Sequence, residues 1–445
     1  MKEESQNNNL YQKQTEQAIN NFKISDKKMP HTMIKAIGLI KACAAQVNEK
    51  KQKLESKKAA AIKEAALEIY EGKHYEQFPI DVFQTGSGTS TNMNANEVIA
   101  SIAKAKHNVE IHPNDDVNMC QSSNDTIPTA IAISCVTQIE NLLLPSIEKL
   151  KQNIKTKAET LNDVVKIGKT HLMDAVPITF AQELHSWLNQ LEIAEESIKE
   201  AKNHLLKLPQ GGTALGTGIN AYTDFSELFC EQLNKYNNFG FKPATNKMAR
   251  IAGQDSSLIY AASLNSLAAV IMKISNDLRL LNSGPNSGFN DIQLKKLQPG
   301  SSIMPGKVNP VIPEACCMVA AQVMGSYQTV LISTQSSLLQ LNTMLPVIAY
   351  NLLDSTNIIS NACVSLGELA IASFKTNKQA ISDKIWKNPI ILTALNPIIG
   401  YEMAAKITKE VYENDSDIIQ ACVKNTTLSE NEIKEIIDPV KLTQG

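Results

Sequence analysis

Gln254–Ser283, QDSSLIYAASLNSLAAVIMKISNDLRLLNS, runs 30 residues between Gly253 and Gly284 without a glycine or a proline. Strands are about 3–10 residues long, whereas a helix of that length extends about 45 Å, so the stretch reads as one long helix. Charge is nearly absent until Lys273, and Leu258, Ile259, Ala262, Leu264, Leu267, Ala268, Val270, Ile271 and Ile274 cover most of its circumference. A helix apolar nearly all round is buried on every side. Such a helix belongs at the centre of a bundle, at an interface between subunits, or in the core of a large monomer.

Working outward, the same punctuation recurs. Twenty-two residues separate Pro145 from Gly168, 31 separate Pro177 from Pro209, and 20 separate Pro346 from Gly367, each free of both breakers. These segments are rich in Leu, Ile, Ala, Lys and Glu, good helix formers. Glu183, Glu192, Glu195, Glu196, Lys199 and Glu200 mark a wet face on the second of them. The fold class expected is all-α, built on long helices. Residues 1–30 are polar and amide-rich, with shorter helical patterns following, and beyond residue 378 Pro389, Pro397, Gly400 and Pro439 shorten the periodic segments. Three domains are expected: a mixed, mainly helical one over 1–121, a central long-helix bundle over 122–378, and a small helical one over 379–445.

Composition narrows the function. Apolar residues make up 43% and charged residues 20%, which fits a globular chain and excludes wholesale disorder. Forty-three basic against 45 acidic side chains give a net charge of -2, unsuited to a general polyanion surface, and 5% aromatics offer few stacking platforms. No nucleic-acid partner is expected. The opening Met1–Asn9 is polar, without the apolar run of a secretory signal, and no stretch approaches about 18 uninterrupted apolar residues. A soluble, cytoplasmic protein with no membrane partner is the expectation. The cysteines at 43, 120, 135, 230, 316, 317, 363 and 422 form no Cys-x-x-Cys pair, and no two histidines have His-Glu-x-x-His spacing. Neither a metal nor a cofactor is expected.

Four stretches interrupt the helical pattern with hydroxyl, amide and glycine residues: Thr85–Asn94, with Ser87 and Thr89; His112–Asp116, followed by Gln121–Asp125; Gly168–Asp174, with Thr170 and His171; and Gly300–Pro310, followed by Glu314. Taken alone, Ser122, Ser123 and Asn124 read as helix caps, and His171 as a structural histidine. The fourth stretch, GSSIMPGKVNP, alters that balance. Its glycines make a loop that sets Ser301, Ser302, Lys307 and Asn309 where a cation and backbone N–H groups surround one small anion. Many neutral donors together with Lys307 and His171 suit a small dicarboxylate better than a triphosphate or a sugar.

Gly300–Pro310 resembles the signature loop of the fumarase/aspartase superfamily, and the other three stretches match that family's blocks in order. The resemblance runs from about Leu10 to the C-terminus. It implies a three-domain homotetramer with a 20-helix core, and active sites assembled from segments of three subunits. It also implies Ser301 as the proton-abstracting base, His171 with Glu314 on the acid side, and Lys307 and Asn309 at the carboxylate where charge accumulates. Ser87, Thr89, Ser122, Ser123, Asn124, Thr170 and Ser302 are then substrate-binding, with a possible second dicarboxylate site at His112, Asn114 and Asp115.

Within the superfamily, Gln84–Thr89, Gln121–Asp125 and Pro209–Ala214 resemble class II fumarases, which reversibly hydrate fumarate to L-malate in the tricarboxylic acid cycle. Pro310–Glu314, Met344 and Asn396-Pro397 lean toward aspartate ammonia-lyases, which make fumarate from L-aspartate. Fumarase is the better match and aspartase the alternative. Asn286, Met173, Phe180-Ala181 and Leu345 depart from both patterns, and no arginine lies in Lys106–Ile111 ahead of His112.

Overall fold

The computed structural model describes residues 9–444, so the polar opening segment up to Asn8 lies outside the described residues. Helices dominate it, joined by three two-stranded ribbons among those residues. The fold is all-α in character, as the long breaker-free segments require. Helices Phe180–Leu205, Asp255–Leu281, Val311–Gln335 and Leu345–Ser365 are its longest uninterrupted pieces. Pro346 is tolerated because it falls in the first turn, where its missing N–H costs nothing.

The breaker-free stretch after Pro145 is a partial exception. Its helix, Leu144–Glu159, stops short, and Val165–Thr170 pairs antiparallel with Met173–Thr179 as a hairpin. Val164, Val165 and Ile167 favour the extended backbone, and Thr160, Asn162 and Asp163 suit the turn before them.

Two compact units interleave along the chain. The first comprises residues 1–145, 194–268 and 319–360. Its core includes Met33, Ile37, Leu39 and Ile40 of helix His31–Lys50 and Ile62 and Ile69 of helix Ser56–Glu71, all at most 1% exposed. The second comprises 146–193, 269–318 and 361–445, with Phe180 and Trp187 fully enclosed and the Trp187 indole donating to Asp277 at 3.1 Å.

Burial corrects the expectation for Asp255–Leu281. It is not enclosed on every side by its own chain: Tyr260, Leu264, Leu267, Ile271, Ile274 and Leu278 are buried, while Ile259, Ala262, Ser266, Ala269 and Lys273 form an exposed strip. Half of its most apolar 18-residue window is buried, and only 28% of the corresponding window in Val311–Gln335. By length and composition these two helices and Ser123–Glu159 are apolar enough to cross a membrane. The sequence reading missed this because it sought uninterrupted apolar runs, whereas these windows average over scattered Ser, Asn and Thr.

Candidate active site

Glycine makes the 300–309 loop possible. A Cβ on Gly300 would stand 2.2 Å from the Lys307 carbonyl oxygen, so only glycine permits that closure, which the Gly300 N–H completes by donating to the same oxygen at 3.0 Å. Gly306 takes φ +85°, and the Asn309 amide donates to the Gly300 carbonyl at 2.8 Å, cross-bracing the two ends. Inside this frame the Ser301 hydroxyl oxygen accepts from the backbone N–H groups of Ile303 (3.2 Å) and Met304 (3.1 Å). Two N–H dipoles aimed at one oxygen favour its ionised form. Ser302 and Lys307 are exposed, with Ser301 and Asn309 half-buried.

Thr170 and His171 lie at the tip of the Val165–Thr179 hairpin. Thr170 pairs with Met173, leaving His171 and Leu172 as a two-residue turn with φ +53° and +62°. Both turn residues in the left-handed region match the hairpin's twist, but the positions normally go to Asn or Gly. A histidine and a leucine there are strained, and both are exposed. Beneath the tip, buried Lys166 pairs with Glu183 at 2.9 Å, while Lys384 pairs with buried Asp291 at 2.8 Å. Glu314 opens helix Val311–Gln335 and lines a cavity of about 500 Å³ with Asn276, Arg279, Asn282, Ser283 and Pro310. The expected pairing of His171 with Glu314 is not seen within one chain among the described residues: the cavity that Glu314 lines does not include His171.

The first unit presents the remaining residues. Gly88, at φ +71°, caps helix Thr89–His107, and the Ser87 and Thr89 hydroxyls lie 2.7 Å apart. The Leu345 N–H donates to the Gly86 carbonyl at 2.9 Å, pinning this turn. Ser122 caps helix Ser123–Gln138 in a capping box with Asp125, as its bland reading anticipated. Ser123 is 9% exposed, and its hydroxyl oxygen accepts from the Asn92 amide at 3.1 Å. The Asn124 amide donates to the Ala214 carbonyl at 2.7 Å, leaving its oxygen and second N–H for a ligand. His112, Asn114 and Asp115 sit exposed on the turn Pro113–Val117, where His112 Nδ1 lies 3.0 Å from the Asp115 carboxylate.

Sequence reasoning missed the layer behind Ser123 and Asn124. Asp125 is fully buried, and its carboxylate accepts from the N–H groups of Ser122 (2.9 Å), Gly211 (2.9 Å) and Thr213 (2.8 Å). Burial raises its pKa to about 6 against the pull of those donors. Lys41, in the apolar helix His31–Lys50, is 0% exposed, and desolvation lowers its pKa to about 7 with Asp125 opposing. A lysine between Ile40 and Ala42 in so apolar a run was the available signal.

Comparison with known proteins shows the family of the chain. The profile of the lyase family matches residues 1–325, and that of the fumarase C C-terminus matches 391–444. Fumarate hydratase class II 2 of Pseudomonas aeruginosa is 46% identical over 98% of this chain and 95% of its own length. Fumarate hydratase class II of Xylella fastidiosa is 46% identical over 98% and 92%. The crystal structure of the class II fumarase of Schistosoma mansoni superposes with a TM-score of 0.96 at 35% identity, covering 98% of this chain and 96% of that one. The chain is therefore a lyase. It belongs to the class II fumarate hydratase family.

Proposed function

We propose that the protein catalyses the reversible hydration of fumarate to L-malate. The observation that carries the reading is the 300–309 loop: an unaltered Ser301, Lys307 and Asn309, with the Ser301 oxygen held by two N–H donors, in a chain 46% identical to a class II fumarate hydratase.

In the malate-to-fumarate direction the hydrogen beside a carboxylate is weakly acidic, because its removal sets a second negative charge beside the first. Ser301 takes that proton as an alkoxide favoured by the Ile303 and Met304 N–H groups. Lys307 and Asn309 hold the resulting aci-carboxylate dianion; a preorganised donor of this kind contributes about 2.7–4 kcal/mol. Thr89, Ser123, Asn124 and Thr170 fix the substrate, with Ser87, Ser122 and Ser302 beside them. The carbon–oxygen bond then breaks, the hydroxyl departs with a proton from His171 as water, and fumarate remains. Glu314, from another copy of the chain, orients His171. Ser301 and His171 each exchange one proton with solvent to complete the cycle, and no metal or cofactor enters it.

His171 and Glu314 do not meet in one chain, so the reading includes a homotetramer in which segments of three copies complete each site. The exposed strip of Asp255–Leu281, which carries Ile259, Ala262 and Ala269, and the uncovered face of Val311–Gln335 support it. The divisions 1–121, 122–378 and 379–445 are proposed as its domains, and the cytoplasm as its location. His112, Asn114 and Asp115 remain a proposed second dicarboxylate site, one in which the Asp115 carboxylate competes with the ligand for His112. Fumarate absorbance with L-malate and, separately, L-aspartate tests the reading. Turnover of malate alone is expected; turnover of aspartate alone would make the chain an aspartate ammonia-lyase.

A further inference from the structure

We propose that Lys41 is a positioning residue: its ammonium group fixes the donor direction of a hydrogen-bond chain that leaves the Ser123 hydroxyl hydrogen pointing at substrate. The inference rests on the reading of Ser123 as a dicarboxylate ligand.

The chain can be followed atom by atom. Lys41 Nζ donates to Asn118 Oδ1 at 2.8 Å, its one hydrogen-bond partner among the described residues. In its protonated form, which holds below about pH 7, Lys41 has donors and no acceptor, so Asn118 must present its oxygen there. The Asn118 amide nitrogen consequently turns the other way and donates to the Gln121 carbonyl at 3.2 Å. With Asn118 Oδ1 an acceptor, Asn92 must offer it an N–H, which it does at 3.2 Å, and the same Asn92 nitrogen donates to Ser123 Oγ at 3.1 Å. A hydroxyl that accepts from Asn92 keeps its own hydrogen free to donate. A carboxylate is the acceptor such a hydrogen suits.

Two features indicate that this polarity is imposed. Asn92 Oδ1 is buried with no hydrogen-bond partner, a cost that the opposite amide orientation would redistribute. Lys41 itself is fully enclosed in an apolar helix, where a charge is expensive and a methionine of similar volume would pack without penalty. The one acidic group identified as acting on it, Asp125 at the start of helix Ser123–Gln138, is already satisfied by three backbone N–H groups. A buried cation with a single neutral partner does little for stability. What it does is remove the ambiguity of two amides.

The test is succinate affinity by calorimetry, alongside malate turnover, for wild type, Lys41→Met, Asn118→Leu and the double variant. Lys41→Met is expected to weaken succinate about tenfold or more and to raise KM more than it lowers kcat, at a melting temperature equal to or above wild type. The double variant is expected to be no worse than the poorer single one, because both cut one chain of contacts. Unchanged affinity in Lys41→Met, or losses that simply add, would overturn the proposal. If Lys41→Met does not fold, Lys41→Gln keeps a donor without fixing its direction and is expected to show an intermediate loss. Failure of both to fold would assign Lys41 to the core and overturn it as well. Wild type that binds succinate yet leaves malate untouched would count against the hydration reading alone, since succinate affinity still reads the Lys41 chain.

Discussion

Gly300 shows how much one missing side chain decides. With the Lys307 carbonyl 2.2 Å from where a Cβ would sit, Gly300→Ala must open the loop that orders Ser301 and Asn309. We expect kcat to fall at least about a hundredfold, the scale of one lost oxyanion donor, with helical content by circular dichroism unchanged. Lys307→Met removes the cation at the developing dianion, and steady-state kinetics should show a loss of about 10²–10³ in kcat. Lys41 and Asp125 make a different prediction, in pH. Lys41 stands near 7 folded against 10.5 free, so the unfolded chain binds more protons between those values and stability rises with pH there. Asp125 stands near 6 against 3.8, so the folded chain binds more protons across that range and stability falls as pH climbs through it. The pair together leaves a trough between 6 and 7. Lys41→Met removes the upper arm, so its melting-temperature advantage over wild type should be largest near pH 7 and shrink toward 10.5.

At the scale of elements, the hairpin Val165–Thr179 carries Thr170 and His171 on a turn whose two residues both have positive φ. Strain of this kind is on the order of 1–3 kcal/mol per residue. Leu172→Gly should relieve it, raising the melting temperature while leaving kcat within about twofold, whereas Leu172→Val, β-branched and ill-suited to positive φ, should lower the melting temperature. This element was also the least legible in the sequence. Its strands follow a helical run with no glycine or proline between Pro145 and Gly168, and its turn lacks the Asn-Gly or Asp-Gly that announces a hairpin. The long helices were legible for the converse reason: Gly253 and Gly284 bracket Asp255–Leu281 within two or three residues of its ends. The Ser301 loop was legible because its glycines and proline cannot continue a helix. Lys41 escaped because burial, which gives it meaning, is set by helices distant in sequence.

For the whole molecule, the apolar faces that one chain leaves uncovered and the unpaired His171 and Glu314 lead to the same expectation. Light scattering should give four times 48.7 kDa, about 195 kDa. Mixing the separately inactive His171→Ala and Ser301→Ala proteins under subunit exchange should restore part of the activity, because some hybrid sites draw both intact residues from different copies. A monomer, or no recovery on mixing, would remove the shared site. The most direct test of the account is the initial rate of fumarate formation from L-malate by wild type and by Ser301→Ala, each first confirmed to have the same assembly. We predict turnover by wild type and a loss of about 10³ in the variant with its assembly intact. A wild type inert toward malate, or a Ser301→Ala protein at full rate, would contradict it.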